Sequence, residues 1–268
     1  MHRCKGFTLA ELAIALVIIA LLLAGAMVPF TAQIEVRDVS DTRRSLESIK
    51  EAITGFAQAN GRLPCPANGT IATGSASAGT EQFASAQCTN TAGVVPWATL
   101  GVAETDAWGR RFSYYVVQEF ADDNSKLTWS SAGQSPVCNP TPTPSQPASF
   151  ALCTLGKLTV NTRDDTTHAA NAAGAALPAV IISHGKNGYG AYTNGGTLIS
   201  GLTAGTDEAA NASHSAATTA FYSRSPTPSA SGCSDTAAGS PFCEFDDIVL
   251  MISAPTLIAR MVSAGRLP

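Results

Sequence analysis

The stretch KGFTLAELAIALVIIALLLAGAMVPF, residues 5–30, decides how the rest of the chain is read. From Leu12 to Phe30 it holds 19 residues with no charged or strongly polar side chain. That is longer than the roughly 7–15 residues of a secretory signal's apolar core and close to the roughly 20 that cross a bilayer as a helix. Glu11 stands at the start of this run. A central Asp, Lys or Arg costs about 2.5–3.5 kcal/mol on insertion scales, so a charge inside hydrocarbon wants a partner and marks a functional position. Arg3 and Lys5 precede the run, and the mixed charges Glu35, Arg37 and Asp38 follow it. The positive-inside rule then keeps the N-terminus in the cytoplasm and sends everything after residue 30 across the membrane.

The remainder of the 268 residues is globular in composition, because 45% hydrophobic content supplies a core. A net charge of −4, without any Lys/Arg cluster, excludes a nucleic-acid partner. Cys4 lies in the short basic leader. Cys65, Cys88, Cys138, Cys153, Cys233 and Cys243 form an even set beyond the apolar run, which in an exported domain reads as disulfides. No Cys-x2-Cys pair suggests zinc. Local pairing, Cys65–Cys88, Cys138–Cys153 and Cys233–Cys243, would close each loop near its own ends, although six cysteines allow about 15 connectivities.

The helix is expected to continue to about residue 60. Leu46, Ile49, Ile53 and Phe56 recur at helical spacing among charged neighbours, the signature of one buried stripe. Asn60-Gly61 and Pro64 end it, and Gly25 and Pro29 mark a bend. RRFSYYVVQEF, SFALCTLGKLTV, LPAVIIS and FDDIVLMIS read as strands bounded by turn residues, and PTLIARMVSAG reads as a C-terminal helix. The fold class is therefore α+β: a long N-terminal helix, membrane-spanning in its first half, packed on an antiparallel sheet head with disulfide-bonded loop insertions. The expected division is a leader at 1–6, a membrane and assembly helix at 7–30, its amphipathic continuation at 31–61 and a periplasmic head at 62–268. Segments 66–93, 136–148 and 203–241, rich in small and polar residues or proline, read as surface loops.

KGFTLAEL after a short basic leader resembles the prepilin-type signal of type IV pilins and type II secretion pseudopilins. The resemblance implies cleavage by a prepilin peptidase between Gly6 and Phe7 and N-methylation of Phe7. It also implies that Glu11 pairs with the Phe7 amine of an adjacent subunit and sets filament register. Its implied partners are other pilin or pseudopilin subunits, the peptidase, an inner-membrane assembly platform with its ATPase, and membrane lipids before assembly. The implied location is the inner membrane, single-pass with a periplasmic head, then a filament that reaches the cell surface in pilus systems. TDAWGRRFSYYV resembles a turn and strand of major pseudopilins, with Asp106 and Gly109 shaping the turn while Trp108, Phe112 and Tyr114 supply core. ISHGKNGYG with FDDIV resembles their C-terminal loop region. That likeness implies calcium as a cofactor held by Asn187, Asp246 and Asp247, and none otherwise required. A long insert separates HGKNG from FDDI, unlike the compact pseudopilin head.

Two other classes compete. Ser183 and His184 with Asp246 or Asp247 hold the residue types of an exported hydrolase, but there is no GxSxG elbow, and the expectation is that the chain is not an enzyme. GKNGYGAYTNGG lacks the phosphate-loop pattern, and His168 and His214, in low-complexity surroundings, are expected to titrate in solvent. The other alternative is a membrane-anchored exported binding protein that does not polymerise and is not processed at Gly6.

Overall fold

A computed structural model describes residues 8–123, 148–201 and 205–267, with backbone alone over 22–32. Gly6, Phe7, Cys4 and Cys138 lie outside these residues, as does nearly all of the Pro-rich 136–148 segment. The chain divides into two compact units, Met1–Asp41 and Thr42–Pro268.

Helix α1 runs from Leu9 to Asn60 and is uninterrupted at Gly25 and Pro29. In the first unit its apolar residues from Leu9 to Leu21 point outward, those above half exposure ranging from 51 to 89%. Among the described residues no helix is long and apolar enough to cross a membrane. The expected span therefore rests on the sequence, since side chains 22–32 are outside the described set. In the second unit Leu46, Ile49, Ile53 and Ala57 are buried at spacings of three, four and four. Ala57 takes the place expected of Phe56, which is half-buried with the Arg62 guanidinium 5.2 Å from its ring centroid.

After α1 come two short strands, β1 (Phe83–Ala84) and β2 (Gln87–Cys88), then β3 (Ala92–Val94), α2 (Trp97–Leu100), β4 (Ser113–Val116) and α3 (Gln118–Ala121). The chain continues through β5 (Leu158–Arg163), β6 (Ala170–Leu177), β7 (Ala179–Ser183), α4 (Thr206–Asn211), β8 (Ala220–Tyr222), β9 (Ile248–Ile252) and α5 (Ala254–Ser263). The main sheet has the order β3-β4-β7-β9 and is antiparallel throughout. Its central strands are buried at every residue, which requires cover on both faces. The hydroxyl of Tyr114 donates to the Pro64 carbonyl at 3.2 Å, whereas its neighbour Tyr115 donates to the Asn211 carbonyl at 3.0 Å and packs on Phe221. Helix α5 buries Ala254, Leu257 and Met261. Arg266 just beyond it donates to the Gln58 carbonyl at 2.8 Å and so clasps the end of α1.

Several expectations are corrected here. QEF of the first strand run is helical, and Trp108 is half-buried while Phe112 and Tyr114 form the core. SFALCTLGKLTV turns until Leu158. A second sheet, β6-β5-β8, contains the parallel pair β5/β8. The 205–241 part of the expected loop is ordered by charge: Asp207 accepts from Arg163 at 2.7 Å and from Arg224 at 3.1 Å, and Arg224 reaches Asp235 at 3.0 Å. Both aspartate side chains are fully buried, so each desolvated carboxylate is paid back by hydrogen-bonded arginines. His168 is buried, with Nδ1 3.0 Å from the Ser234 carbonyl and its ring stacked on Phe242. His214 is half-buried, and that burial pushes it down to about 4.

The structure joins Cys65 to Cys88 and Cys233 to Cys243. Sequence separations of 23 and 10 residues correspond to roughly 3 kcal/mol each in the chain-entropy account. Cys153 is disulfide-bonded as well.

Candidate functional site

Two places gather the residues singled out in the sequence. At the start of α1, Thr8 precedes the first helical residue and Glu11 sits three positions on. The Thr8 N–H and hydroxyl donate to Glu11 Oε2 at 2.9 and 2.8 Å, and the Glu11 N–H donates back to Thr8 Oγ1 at 3.3 Å. This is a capping box, which satisfies N–H groups that a helix start otherwise leaves unpaired. Its Thr-x-x-Glu spacing was legible in the sequence beside the prepilin-type pattern. Both contacts to the carboxylate use Oε2, so Glu11 is anchored at the helix end without being enclosed.

The second place lies in the head, where β7 ends and β9 begins. Ser183 and His184 are adjacent on the strand end, and alternation sends them to opposite sides. Ser183 donates to Asp106 Oδ2 at 2.7 Å, and burial pushes the Asp106 carboxyl up. Asp106 also accepts from the N–H groups of Trp108 and Arg110 at 3.0 and 2.9 Å and so fixes the turn read in TDAWG. His184 instead places Nε2 2.7 Å from Ser113 Oγ and Nδ1 3.6 Å from Asp247 Oδ1. Ser183 is thus no partner of His184. Ser113 and His184 have the chemistry of a nucleophile and base, but both are fully enclosed, and a nucleophile must be reached by its substrate.

Beyond His184 the chain turns at Gly185, whose φ is 55°. A Cβ there would fall 2.4 Å from the Asp246 carbonyl and carboxylate oxygens, so a glycine lets the loop close on Asp246. Asp246 and Asp247 both precede β9, which frees them from strand alternation. Their carboxylate oxygens and that of Glu208, on α4, lie within 4.8 Å of one another. Asp246 Oδ2 accepts from the Asn187 N–H at 2.8 Å, and Asp247 Oδ2 accepts from Asn211 Nδ2 at 2.8 Å. The other oxygen of each, Oδ1, is buried without a hydrogen-bond partner among the described residues. Burial, with the Asp247 charge adding to it, pushes Glu208 up to about 8. Burial likewise pushes Asp246 up to about 6.

Asn187 is engaged at both ends of its amide. Its amide oxygen accepts from the Tyr189 N–H at 2.8 Å, and its NH2 donates to Glu208 Oε1 at 2.9 Å. It orients Glu208, and Glu208 supplies the third acidic group. Nothing in the low-complexity TDEAANASHSAA run distinguishes that glutamate. Two buried carboxylates and one half-buried one, with two oxygens that accept no hydrogen bond among the described residues, fit a hard divalent cation, which takes oxygen ligands and offsets their mutual repulsion.

Residues 1–27 match the prokaryotic N-terminal methylation motif, the prepilin-type signal of type IV pilins and pseudopilins. No curated protein and no solved structure matches the chain.

Proposed function

We propose that this protein is a pilin-like structural subunit, a pseudopilin or minor pilin of a type II secretion or related filament system. The observation that carries the reading is the methylation motif over residues 1–27, with Glu11 fixed at the start of α1. In this reading prepilin peptidase cuts between Gly6 and Phe7 on the cytoplasmic face, and Phe7 is N-methylated. Residues 7–30 then hold the subunit in the inner membrane with its head in the periplasm. The outward apolar side chains from Leu9 to Leu21 are covered first by lipid and then by the same helices of neighbouring subunits. The work of extraction comes from a cytoplasmic assembly ATPase, so the subunit itself needs no catalytic group.

Glu11 chooses the register. Its carboxylate meets the Phe7 amine of the adjacent subunit in a low-dielectric setting, where an unpaired charge of either sign is costly. In the head, Glu208, Asp246 and Asp247 would hold calcium with Asn187 and Asn211 as orienting donors. The ion would neutralise the trio and tie α4 to the entrance of β9.

Expression of the full chain in a host with a pilus or secretion assembly system tests this reading. Recovery with sheared filaments, or cross-linked to other pilin-like subunits, is expected. A processed chain that stays wholly monomeric in the membrane would favour an anchored binding protein instead.

A further inference from the structure

A cleft of about 190 Å³ opens in the head beside β3, and none of the carboxylate trio lines it. Asn68, Gln82 and Asn90 line it together with Tyr192 and His214. No Lys, Arg, Asp or Glu is among its lining residues. His214 adds no charge at ordinary pH, because burial pushes it down to about 4 against the opposing pull of the Gly190 carbonyl, 2.6 Å from its Nε2.

The two rings are held in place before any ligand arrives. A Cβ on Gly69 would fall 2.4 Å from a Tyr192 ring carbon, so the ring rests on bare backbone. The His214 ring lies 4.9 Å from that of Tyr192 and 6.3 Å from that of Tyr115. Fixed side chains reduce the ordering cost of binding.

This chemistry selects a ligand class. The Asn68 amide oxygen accepts from the Thr70 N–H and hydroxyl at 2.9 and 2.8 Å, which leaves its NH2 as donor, while the carboxamides of Gln82 and Asn90 bring donors and an acceptor each; together they match hydroxyl groups that donate and accept in turn. A charged ligand would find no counter-ion, and an apolar one would strip the amides of water without replacing those bonds. Drug-sized ligands occupy roughly 300–1,000 Å³, so the space suits one ring. We propose that this cleft binds a single neutral saccharide unit, with Asn68, Gln82 and Asn90 reading its hydroxyls and Tyr192 lying against its C–H surface. The inference rests on the head alone and does not depend on filament assembly.

The test uses the full chain in lipid nanodiscs free of glycolipid and glycoside detergent. Saturation-transfer NMR is run with glucose, galactose, mannose and N-acetylglucosamine, and with triglycine as a neutral peptide probe. At least one sugar is expected to saturate with a Kd of about 1–10 mM, unchanged between about pH 5.5 and 8 because no lining group titrates there. Asn90→Trp, at an exposed position on the rim, and Gln82→Ala should each weaken it at least about tenfold, while thermal melting stays within a few degrees of the parent protein. No saturation by any of the four sugars at about 50 mM, equal binding by both variants, or tighter binding of triglycine would overturn the proposal.

Discussion

Thr8 and Glu11 cap α1 reciprocally, with the Thr8 N–H and hydroxyl on Glu11 Oε2 at 2.9 and 2.8 Å and the Glu11 N–H on Thr8 Oγ1 at 3.3 Å. The carboxylate therefore has a role within its own chain as well as the one proposed between chains, and the two can be separated. Glu11→Gln keeps an oxygen that accepts from Thr8 but removes the charge. Thr8→Ala weakens the cap by about 1 kcal/mol and leaves the charge. Glu11→Gln should lower incorporation into filaments about tenfold or more, since breaking a desolvated charge pair costs about 3–5 kcal/mol. Thr8→Ala should assemble nearly as the parent does. Quantitative immunoblots of sheared filament and membrane fractions give the ratio, and loss in Thr8→Ala with Glu11→Gln assembling as the parent does would assign Glu11 to the cap alone.

The carboxylate trio should make stability depend on pH and calcium in opposite senses. Glu208 rises from an ordinary 4.5 to about 8 and Asp246 from 3.8 to about 6. A carboxyl raised on folding favours the native state below its unfolded value, and that contribution is lost as pH climbs through the folded one. Without a divalent ion, melting temperature should thus fall between about pH 4 and 8. Calcium binds the ionised forms, so at pH 7.5 an excess of about 100 Kd should restore about 2.7 kcal/mol. Glu208→Gln should flatten the pH dependence and remove most of the calcium effect. Absence of any calcium-dependent melting shift in the parent at millimolar concentrations would leave the trio as a proton-sharing cluster.

Asp207 holds two arginines at once, Arg163 and Arg224, with its side chain fully buried. Asp207→Ala leaves both guanidinium groups short of their counter-charge and should destabilise the head by about 3–5 kcal/mol. Urea unfolding followed by tryptophan fluorescence measures this. A loss below about 1 kcal/mol would show that water replaces the carboxylate there, as at an exposed pair.

The amphipathic end of α1, the strand cores SYYV, AVIIS and IVLMI, and α5 were legible because apolar residues recur there at helical or strand spacing. The second sheet was not. Strand β6 reads ANAAGAAL and is exposed along most of its length, and neither alanine nor glycine favours strands. The 205–241 stretch that supplies β8 is held by Arg163, Arg224, Asp207 and Asp235, which are scattered over more than seventy residues. Pairing of that kind is a property of the folded chain and leaves no local trace. At the candidate metal site Asp246 and Asp247 were visible through FDD. Glu208 comes from a helix whose surrounding sequence resembles a linker, and Asn187 is occupied by Tyr189 and Glu208.

The N-terminus of the mature protein tests the central claim most directly. Intact mass and N-terminal peptide mass spectrometry of the full chain, expressed in a host with an active prepilin peptidase, should find a chain that begins at N-methylated Phe7. A chain that still begins at Met1 in that host would contradict the account.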